Sequence, residues 1–233
     1  QGKMPRLAAL QRVSGGAILE IDAATRRNLE LTRSLSGERA GSLLATIDRT
    51  VTGAGARLLA EYLAAPLTDP ALIAERQDLV QHFLEDDALR QRLRDGLRAT
   101  PDLERALSRL TAERGGPRDL AAIRDGLGQA AVLRDLLPAN AAPSPKLLRD
   151  AKDGLGHHGT LIDRLTRALK SELPFLTRDG GFIASGYAPE LDELLRLRDG
   201  SRQLVLELEA RLKSETGITS LKIRHNNVIG YYI

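Results

Sequence analysis

One short stretch of this sequence holds two features that bind phosphate or metal in other proteins, a set of spaced glycines and a pair of histidines. The stretch GLGHHG, residues 154–159, matches the glycine spacing G-x-G-x-x-G of dinucleotide-binding turns. Such a turn follows a buried strand, whereas the preceding SPKLLRDAKD is polar and helical in pattern. His157 and His158 are adjacent, so on a helix their side chains point about 100° apart and cannot both face one metal ion. We interpret the stretch as an interruption between helices.

No other residues have the spacing of a catalytic or metal centre. His82 and His225 have no histidine or carboxylate at ligand spacing, there is no cysteine, and no G-x-x-x-x-G-K-[ST] phosphate cradle occurs. The carboxylates Glu85, Asp86 and Asp87 stand at a predicted helix start, where the helix dipole favours negative charge. We therefore expect no catalytic residue, no metal and no cofactor in this chain.

A third feature, IDAATRRNLEL at residues 21–31, places a dense polar cluster between apolar residues. Its members are Asp22, Thr25, Arg26, Arg27 and Asn28. One explanation, which we favour, is a capped turn whose arginines brace neighbouring segments. The other is a surface patch for an acidic partner, because guanidinium groups form paired hydrogen bonds with carboxylates and phosphates.

The elements that position these residues are predicted to be mostly α-helical. Apolar residues make up 42% of the 233 residues but aromatic residues only 3%, which favours helices packed through Leu, Ala, Ile and Val. The formal net charge of +3 does not by itself indicate a nucleic-acid partner. No apolar run approaches the roughly 20 residues that span a bilayer. Together with the lack of cysteine, this predicts a cytoplasmic protein with no membrane partner.

Capping residues and leucine spacing predict a series of helices. Predicted starts are Ser42, Thr52, Asp69 with Pro70, Asp86 or Asp87, Pro101 and Pro117. The apolar stripes of these helices are expected to bury one another, with Leu58 in the core. A loop is predicted at residues 138–145, PANAAPSP, and a second break at residues 178–187, RDGGFIASGY.

The C-terminal part of the sequence changes character after one long helix. From Pro189 to Thr216 the pattern predicts about 28 helical residues, roughly 40 Å, with a weak point at Gly200 and an end at Gly217. Residues 220–233, SLKIRHNNVIGYYI, then alternate in the manner of a strand. A second option is a tight turn at residues 226–227 that pairs LKIRH with VIGYYI. Another short strand is predicted at residues 17–22, AILEID.

Seven stretches together resemble the MutS family of DNA mismatch-repair proteins. They occur in the family's order, cover essentially the whole chain, and are DAATRRNLEL, TIDRTVTGAGARLLAEYLAAPLTD, AERQDLV, PDLERALSRL, GPRDLAAIRDGL, GYAPELDELLRL and LKIRHNNVIGYYI. The resemblance implies a mostly α multi-helix core, or lever, domain with minor β structure at its N-terminal edge and in a C-terminal clamp strand. It implies a tether from a connector domain at residues 1–16, the core domain at 17–217 and a truncated first clamp strand at 218–233. The partners of that strand would lie beyond Ile233, so we expect a fragment of a bacterial protein.

The resemblance also implies what the whole protein does. It would bind mismatched double-stranded DNA as a homodimer, couple that binding to turnover of ATP with Mg²⁺, and engage a MutL-type partner in the bacterial cytoplasm. This segment would link the clamp to the ATPase, carry no ATPase site itself, and contact the DNA backbone weakly and without sequence preference. The alternatives are a helical scaffold or adaptor without a nucleic-acid role, or a MutS paralogue acting in recombination.

Three polar residues near the end of the chain are candidates for DNA contact. Lys222, Arg224 and Asn226 would share one face of the predicted clamp strand and approach phosphates. A solvated clamp face is the explanation we favour. Where the family often has a small residue and an aromatic residue before the asparagine, this sequence has Arg224 and His225. No clamp contact is therefore transferred to these positions from the family.

Overall fold

The computed structural model describes residues 18–137, 144–226 and 228–233, with the backbone alone at residues 201 and 202. It has two compact units, a first that ends at Phe182 and a second, Ile183–Ile233. The described residues are mostly helical, as predicted, and the predicted minor β structure is a two-stranded sheet near the C-terminus and a single bridge at Ile18. Among them, no helix is both long and apolar enough to cross a membrane.

The first unit is built from short and medium helices. They are α1 Ala23–Asn28, α2 Leu43–Ile47, α3 Gly53–Ala64, α4 Pro70–Glu85, α5 Asp87–Arg98, α6 Leu103–Thr111, α7 Pro117–Leu136, α8 Lys146–Gly154 and α9 Gly159–Ala168, followed by a 3₁₀ turn at Thr177–Asp179. The predicted break at residues 178–187 is confirmed, because Gly180, Gly181 and Gly186 there have φ values of 65°, 71° and 83°. Of the predicted loop, residues 138–143 lie outside the described part, and Ser144 and Pro145 precede α8 without helical structure.

Side-chain caps set most of the helix starts. Asp22, Ser42, Thr52, Asp69, Asp86 and Asp102 each accept a hydrogen bond from a backbone amide of the following first turn. Pro70 and Pro117 occupy first-turn positions, where the missing N–H costs nothing. One predicted start differs. Pro101 lies outside its helix, and Asp102, the next residue, is the cap.

Helix α7 is the centre of the first unit and packs against α5, α6 and α9. Its buried residues include Gly126, Ala130 and Leu133. A methyl group added at Gly126 would overlap the side chain of Leu103, and one added at Gly96 would lie 2.8 Å from Leu133 Cδ2. The two glycines therefore let α6 and α5 approach α7 more closely than any larger residue would allow.

Fewer leucines are buried than the sequence pattern predicts. Among the described residues, the buried leucines and alanines are Leu44, Leu89, Ala106, Ala130, Leu133, Leu137, Leu148, Ala168 and Leu169. Leu58 is 46% exposed, so its predicted place in the core is wrong. The apolar stripe of a helix is buried only where another helix or strand packs against it. The sequence pattern of α3 does not show whether such a partner packs against its stripe.

The second unit consists of a long helix and a small hairpin. Helix α10 runs from Pro189 to Thr216, its 28 residues continue through Gly200, and Gly217 ends it in the left-handed conformation with φ 71°. Strands β1 Arg224–Asn226 and β2 Gly230–Tyr232 pair antiparallel. The leucines of α10 are largely exposed, with Leu194 at 64%, Leu197 at 57% and Leu204 at 60%. The expected mutual burial of stripes therefore does not extend to this helix within the described residues.

The predicted strand at residues 17–22 is reduced to a single bridge. Ile18 pairs antiparallel with Leu67, and the Leu19 amide donates to the Pro66 carbonyl at 2.8 Å. Asp22 is already the cap of α1. Residue 17 and the predicted tether at residues 1–16 lie outside the described residues.

Candidate nucleic-acid interface

The C-terminal segment forms its own hairpin, as the turn option predicts, but Asn226 pairs with Gly230, so the connection is longer than the predicted two-residue turn at 226–227 and only three residues of each strand pair. The pairs are Arg224 with Tyr232, His225 with Tyr231, and Asn226 with Gly230. The Asn226 side-chain oxygen accepts hydrogen bonds from the amides of Val228 at 3.0 Å and Ile229 at 2.8 Å. This asparagine-closed turn, with Gly230 at φ 75°, reverses the chain. The strand thus has a partner within this chain.

His225 has a structural role at the position where the sequence departs from the family. Its ring packs edge-on against the ring of Tyr231, the residue directly opposite on β2, with 4.9 Å between ring centroids and 66° between planes. Cross-strand aromatic pairs of this kind stabilise small sheets. Because successive side chains of a strand alternate between faces, Arg224 and Asn226 lie on the other face of β1.

The three candidate DNA contacts are close in sequence but not equivalent. Lys222, Arg224 and Asn226 are all exposed. Lys222 precedes β1, so the three do not share one strand face as predicted for a longer strand. The oxygen of Asn226 is engaged in the turn, which leaves its NH₂ group as the available donor. Two exposed cations and one amide donor suit phosphate oxygens, and DNA contact by them stays a prediction.

Glu209 connects the long helix to the root of the hairpin. Its Oε1 accepts from Lys213 Nζ at 2.6 Å, and its Oε2 accepts from the backbone amide of Ile223 at 3.1 Å. The bond to Lys213 and then the bond to the Ile223 amide hold the pKa of Glu209 below its usual value. The carboxylate is therefore charged at neutral pH, and it accepts a hydrogen bond from the backbone of the residue that precedes β1.

The polar cluster at residues 22–28 is a capped, exposed helix start. Asp22 accepts from the Thr25 amide at 2.9 Å and the Thr25 hydroxyl at 2.7 Å, and these two bonds lower the pKa of Asp22. Arg26 Nε donates to the Ile21 carbonyl at 2.9 Å, which is within the same segment rather than across to a neighbour. Arg27 and Asn28 are exposed. The cap of the favoured explanation is therefore present, whereas Arg26 does not brace a neighbouring segment. An acidic partner for the arginines stays a prediction.

The GLGHHG stretch interrupts the helices, as predicted. Helix α8 ends at Gly154, Gly156 has φ 59°, and α9 begins at Gly159. Arg134 of α7 donates from Nη1 to the Gly156 carbonyl at 2.5 Å and lies 2.8 Å from His157 Nδ1. Across the described residues, no group of three histidine, aspartate or glutamate side chains is placed to hold a metal ion.

Two arginine–carboxylate links between helices were not found from the sequence. Arg57 of α3 donates from Nη1 and Nη2 to the two oxygens of Asp102, both at 2.9 Å, and from Nη2 to Glu104 at 2.6 Å. Arg109 Nε of α6 donates at 2.9 Å to Asp119 of α7, whose other oxygen accepts from the Gly116 amide at 3.0 Å. The arginines lower the pKa of both aspartates. Sequence separations of 45 and 10 residues give no periodic signal for such pairs.

Comparison with known proteins places the chain in a family. Residues 24–224 match MutS domain III. All 233 residues align with the DNA mismatch repair protein MutS of Roseobacter denitrificans at 52% identity and with that of Rhodopseudomonas palustris at 53%. The protein of the same name from Cereibacter sphaeroides is 50% identical over the same 233 residues.

These relatives are much longer than the chain itself. The chain spans about a quarter of their length, 26% of the first and 25% of the second. The matched part is the one in which the structure has the α-helical unit, the long helix α10 and the start of the hairpin. On the family match and the identity over its whole length, this chain belongs to the MutS family, of which it represents domain III.

Proposed function

We propose that this chain serves as the lever of a DNA mismatch-recognition protein. In this role α10 carries the hairpin at its end, the hairpin touches duplex phosphates without reading bases, and the helical unit passes movement between that clamp and an ATPase. The observation that carries the proposal is the identity of about 50% over the whole chain to proteins named DNA mismatch repair protein MutS. The core domain at residues 17–217 and the clamp segment at 218–233 are part of the same proposal.

The geometry of the second unit supports this role. A continuous helix of 28 residues spans roughly 42 Å, and it ends in a turn and a hairpin with exposed Lys222 and Arg224. Phosphate contacts of this type provide affinity that depends on salt and not on base sequence. We do not propose that any residue of this segment reads base edges or intercalates between bases.

The remaining parts of the activity are proposed for the longer protein. Domain III of such a protein would act within a homodimer that binds ATP and Mg²⁺ elsewhere, meets a MutL-type partner and works in the bacterial cytoplasm. The support is the resemblance to MutS proteins, of which this chain spans about a quarter. The absence of a Walker A sequence from these residues agrees with an ATPase site outside domain III.

Duplex binding by the chain tests the proposal. We expect weak affinity that falls steeply with salt and is equal for matched and mismatched duplexes. In the double variant Lys222→Ala/Arg224→Ala, the slope of log affinity against log salt should fall by about 2, since each phosphate contact contributes about 0.9. The charge-matched control Arg92→Ala/Arg114→Ala removes two exposed arginines of the first unit and should retain the slope.

Two results would contradict the proposed role. A several-fold preference for a mismatched duplex would show base reading within this chain. An unchanged slope in Lys222→Ala/Arg224→Ala, with a reduced slope in the control, would place the phosphate contacts in the first unit and leave the hairpin without a role in DNA contact.

A further inference from the structure

Glu209 differs from the residues around it on α10. Its side chain is 16% exposed, whereas Leu206 is 64% exposed and Leu204 60% exposed. A charged residue that is more buried than Leu204 and Leu206 beside it needs polar partners, because a desolvated carboxylate is costly without them. Those partners are the ammonium group of Lys213 and the amide of Ile223.

The path of the chain explains how Ile223, the residue before β1, reaches the helix. After Thr216, Gly217 adopts the left-handed conformation, and the Leu221 amide then donates to the Ile218 carbonyl at 3.3 Å in a turn. The Ile223 amide finally meets Glu209, seven residues and therefore roughly 10 Å before the end of the helix. Residues 218–223 thus run back along the last two turns of α10, and β1 begins at the next residue, Arg224.

The two bonds of Glu209 have different reach. The bond to Lys213 is an ordinary pair four residues apart on one helix and acts locally. The bond to Ile223 joins residues 14 apart and holds the backbone N–H of the residue before β1, so it constrains where the hairpin begins. Ionised acceptors make the stronger hydrogen bonds, so this bond is well suited to hold the root of the hairpin.

We propose that Glu209 is a positioning residue: it fixes the direction in which the hairpin leaves α10 and so determines how Lys222 and Arg224 meet phosphates. The consequence for DNA rests on the function proposed above, whereas the anchoring of Ile223 does not. Lys222 is also close enough to be attracted by the carboxylate, which connects the anchor to one of the candidate contacts.

The charge and the acceptor of Glu209 have opposite effects on DNA binding. Its negative charge repels phosphates near Lys222, so removing the charge alone strengthens binding or leaves it unchanged. Removing the acceptor releases the hairpin and weakens binding. The variant Glu209→Gln removes the charge and keeps an oxygen acceptor, whereas Glu209→Ala removes both. If Glu209 acted through its charge alone, Glu209→Gln and Glu209→Ala would bind duplex DNA with the same affinity.

The first measurement is amide exchange at Ile223 in the 233-residue chain without DNA. We expect Glu209→Ala to accelerate exchange there about fivefold, the effect of losing one hydrogen bond, and Glu209→Gln to retain most of the protection. The control Glu207→Ala changes an exposed glutamate of the same helix and should leave Ile223 unaffected. Unchanged exchange in Glu209→Ala would overturn the anchoring, whatever the DNA measurements show.

The second measurement is duplex affinity at low salt, with helix content followed by circular dichroism. Glu209→Ala should bind about fivefold more weakly than Glu209→Gln. This difference should disappear in the Lys222→Ala/Arg224→Ala background, because the anchor acts through those residues. Equal affinities for the two Glu209 variants would overturn the positioning role. If the background variant binds like the parent, the proposed DNA contact fails while the exchange result at Ile223 still stands.

Discussion

The two units of this chain use similar leucine patterns with different results. In the first unit, α5, α6 and α9 lie on α7, and residues such as Leu89 and Leu133 are 2% and 7% exposed. In the second unit, α10 has regularly spaced leucines that are largely exposed, and its connection to the root of the hairpin is made by a carboxylate and a backbone amide. Amphipathic spacing therefore predicts a helix in both units, but burial depends on what is packed against it.

Truncation of a core leucine is the strongest test of this difference. Leu89→Ala should lower the free energy of unfolding by about 2–5 kcal/mol, because the side chain is 2% exposed and leaves a cavity. Leu204→Ala, at 60% exposure, should change it by less than about 0.5 kcal/mol. Urea denaturation followed by circular dichroism measures both. Similar losses for the two variants would show that α10 buries its leucines in solution.

Glycine substitutions sharpen the comparison further. Gly126→Ala places a methyl group against Leu103, and this overlap should lower the free energy of unfolding by about 1–3 kcal/mol. The higher helix propensity of alanine offsets part of this loss. Gly128→Ala in the same helix and Gly200→Ala in α10 meet no atom within 4 Å and should each stabilise by about 0.5–1 kcal/mol. Thermal unfolding gives the ranking. A stabilising Gly126→Ala would mean that α6 is free to move away from α7.

The acid dependence of stability should differ between the units. The pKa of Asp119, whose side chain is 13% exposed, is held down by Arg109 and the Gly116 amide. Because the pKa of this carboxyl in the folded state lies below its unfolded value of about 3.9, the ionised carboxylate stabilises the fold above that pH. This stabilisation is lost as the pH falls through the folded-state pKa. Asp119→Asn should therefore cost about 1 kcal/mol near pH 7 and progressively less below pH 4.

The matched control for this variant is an aspartate–arginine pair of the second unit. Arg198 also lowers the pKa of Asp199, but both side chains are more than half exposed, at 70% and 67%. Water and salt screen such a pair, so Asp199→Asn should unfold like the parent across the same pH range. Equal pH dependence for the two variants would remove the electrostatic part of the comparison. Urea titrations at several pH values provide the data.

The smallest expected effect is in the hairpin. His225→Ala removes the ring opposite Tyr231 and should weaken the sheet by about 0.2–1 kcal/mol. A two-stranded sheet is marginal in water, so amides of residues 224–232 should exchange faster than those at 204–212, and faster again in the variant. The exchange rates of amides around Leu133 should be the same in His225→Ala and in the parent. Hydrogen exchange in dilute solution tests both statements, and strong protection of the hairpin in the variant would contradict them.

Local signals explain which parts of the fold were predictable. Caps such as Ser42, Thr52 and Asp69 act within three residues, and their helices begin where the sequence indicates. The end of α10 at Gly217 and the turn at Asn226 are equally local. Burial is not local, since Leu58 has the pattern of a core residue and is 46% exposed.

The site was less predictable because its decisive contacts join distant residues. Lys222 and Arg224 were identified by charge and position, and the structure shows them exposed. The bond from Ile223 to Glu209 depends on the reversal after Gly217, and the pairing of Arg57 with Asp102 depends on how α3 meets α6. Neither geometry has a periodic or compositional signal in a single sequence.

The length of α10 has a mechanical consequence. An unbroken rod of 28 residues, roughly 42 Å long, turns a rotation of about 5° at its first residue into a displacement of roughly 3.5 Å at its last. That displacement is about the rise of one residue along a β-strand, and it exceeds the margin within which a hydrogen bond to a phosphate oxygen survives. A rotation of a few degrees at the start of α10 is therefore large enough to make or break the phosphate contacts that we propose for the hairpin.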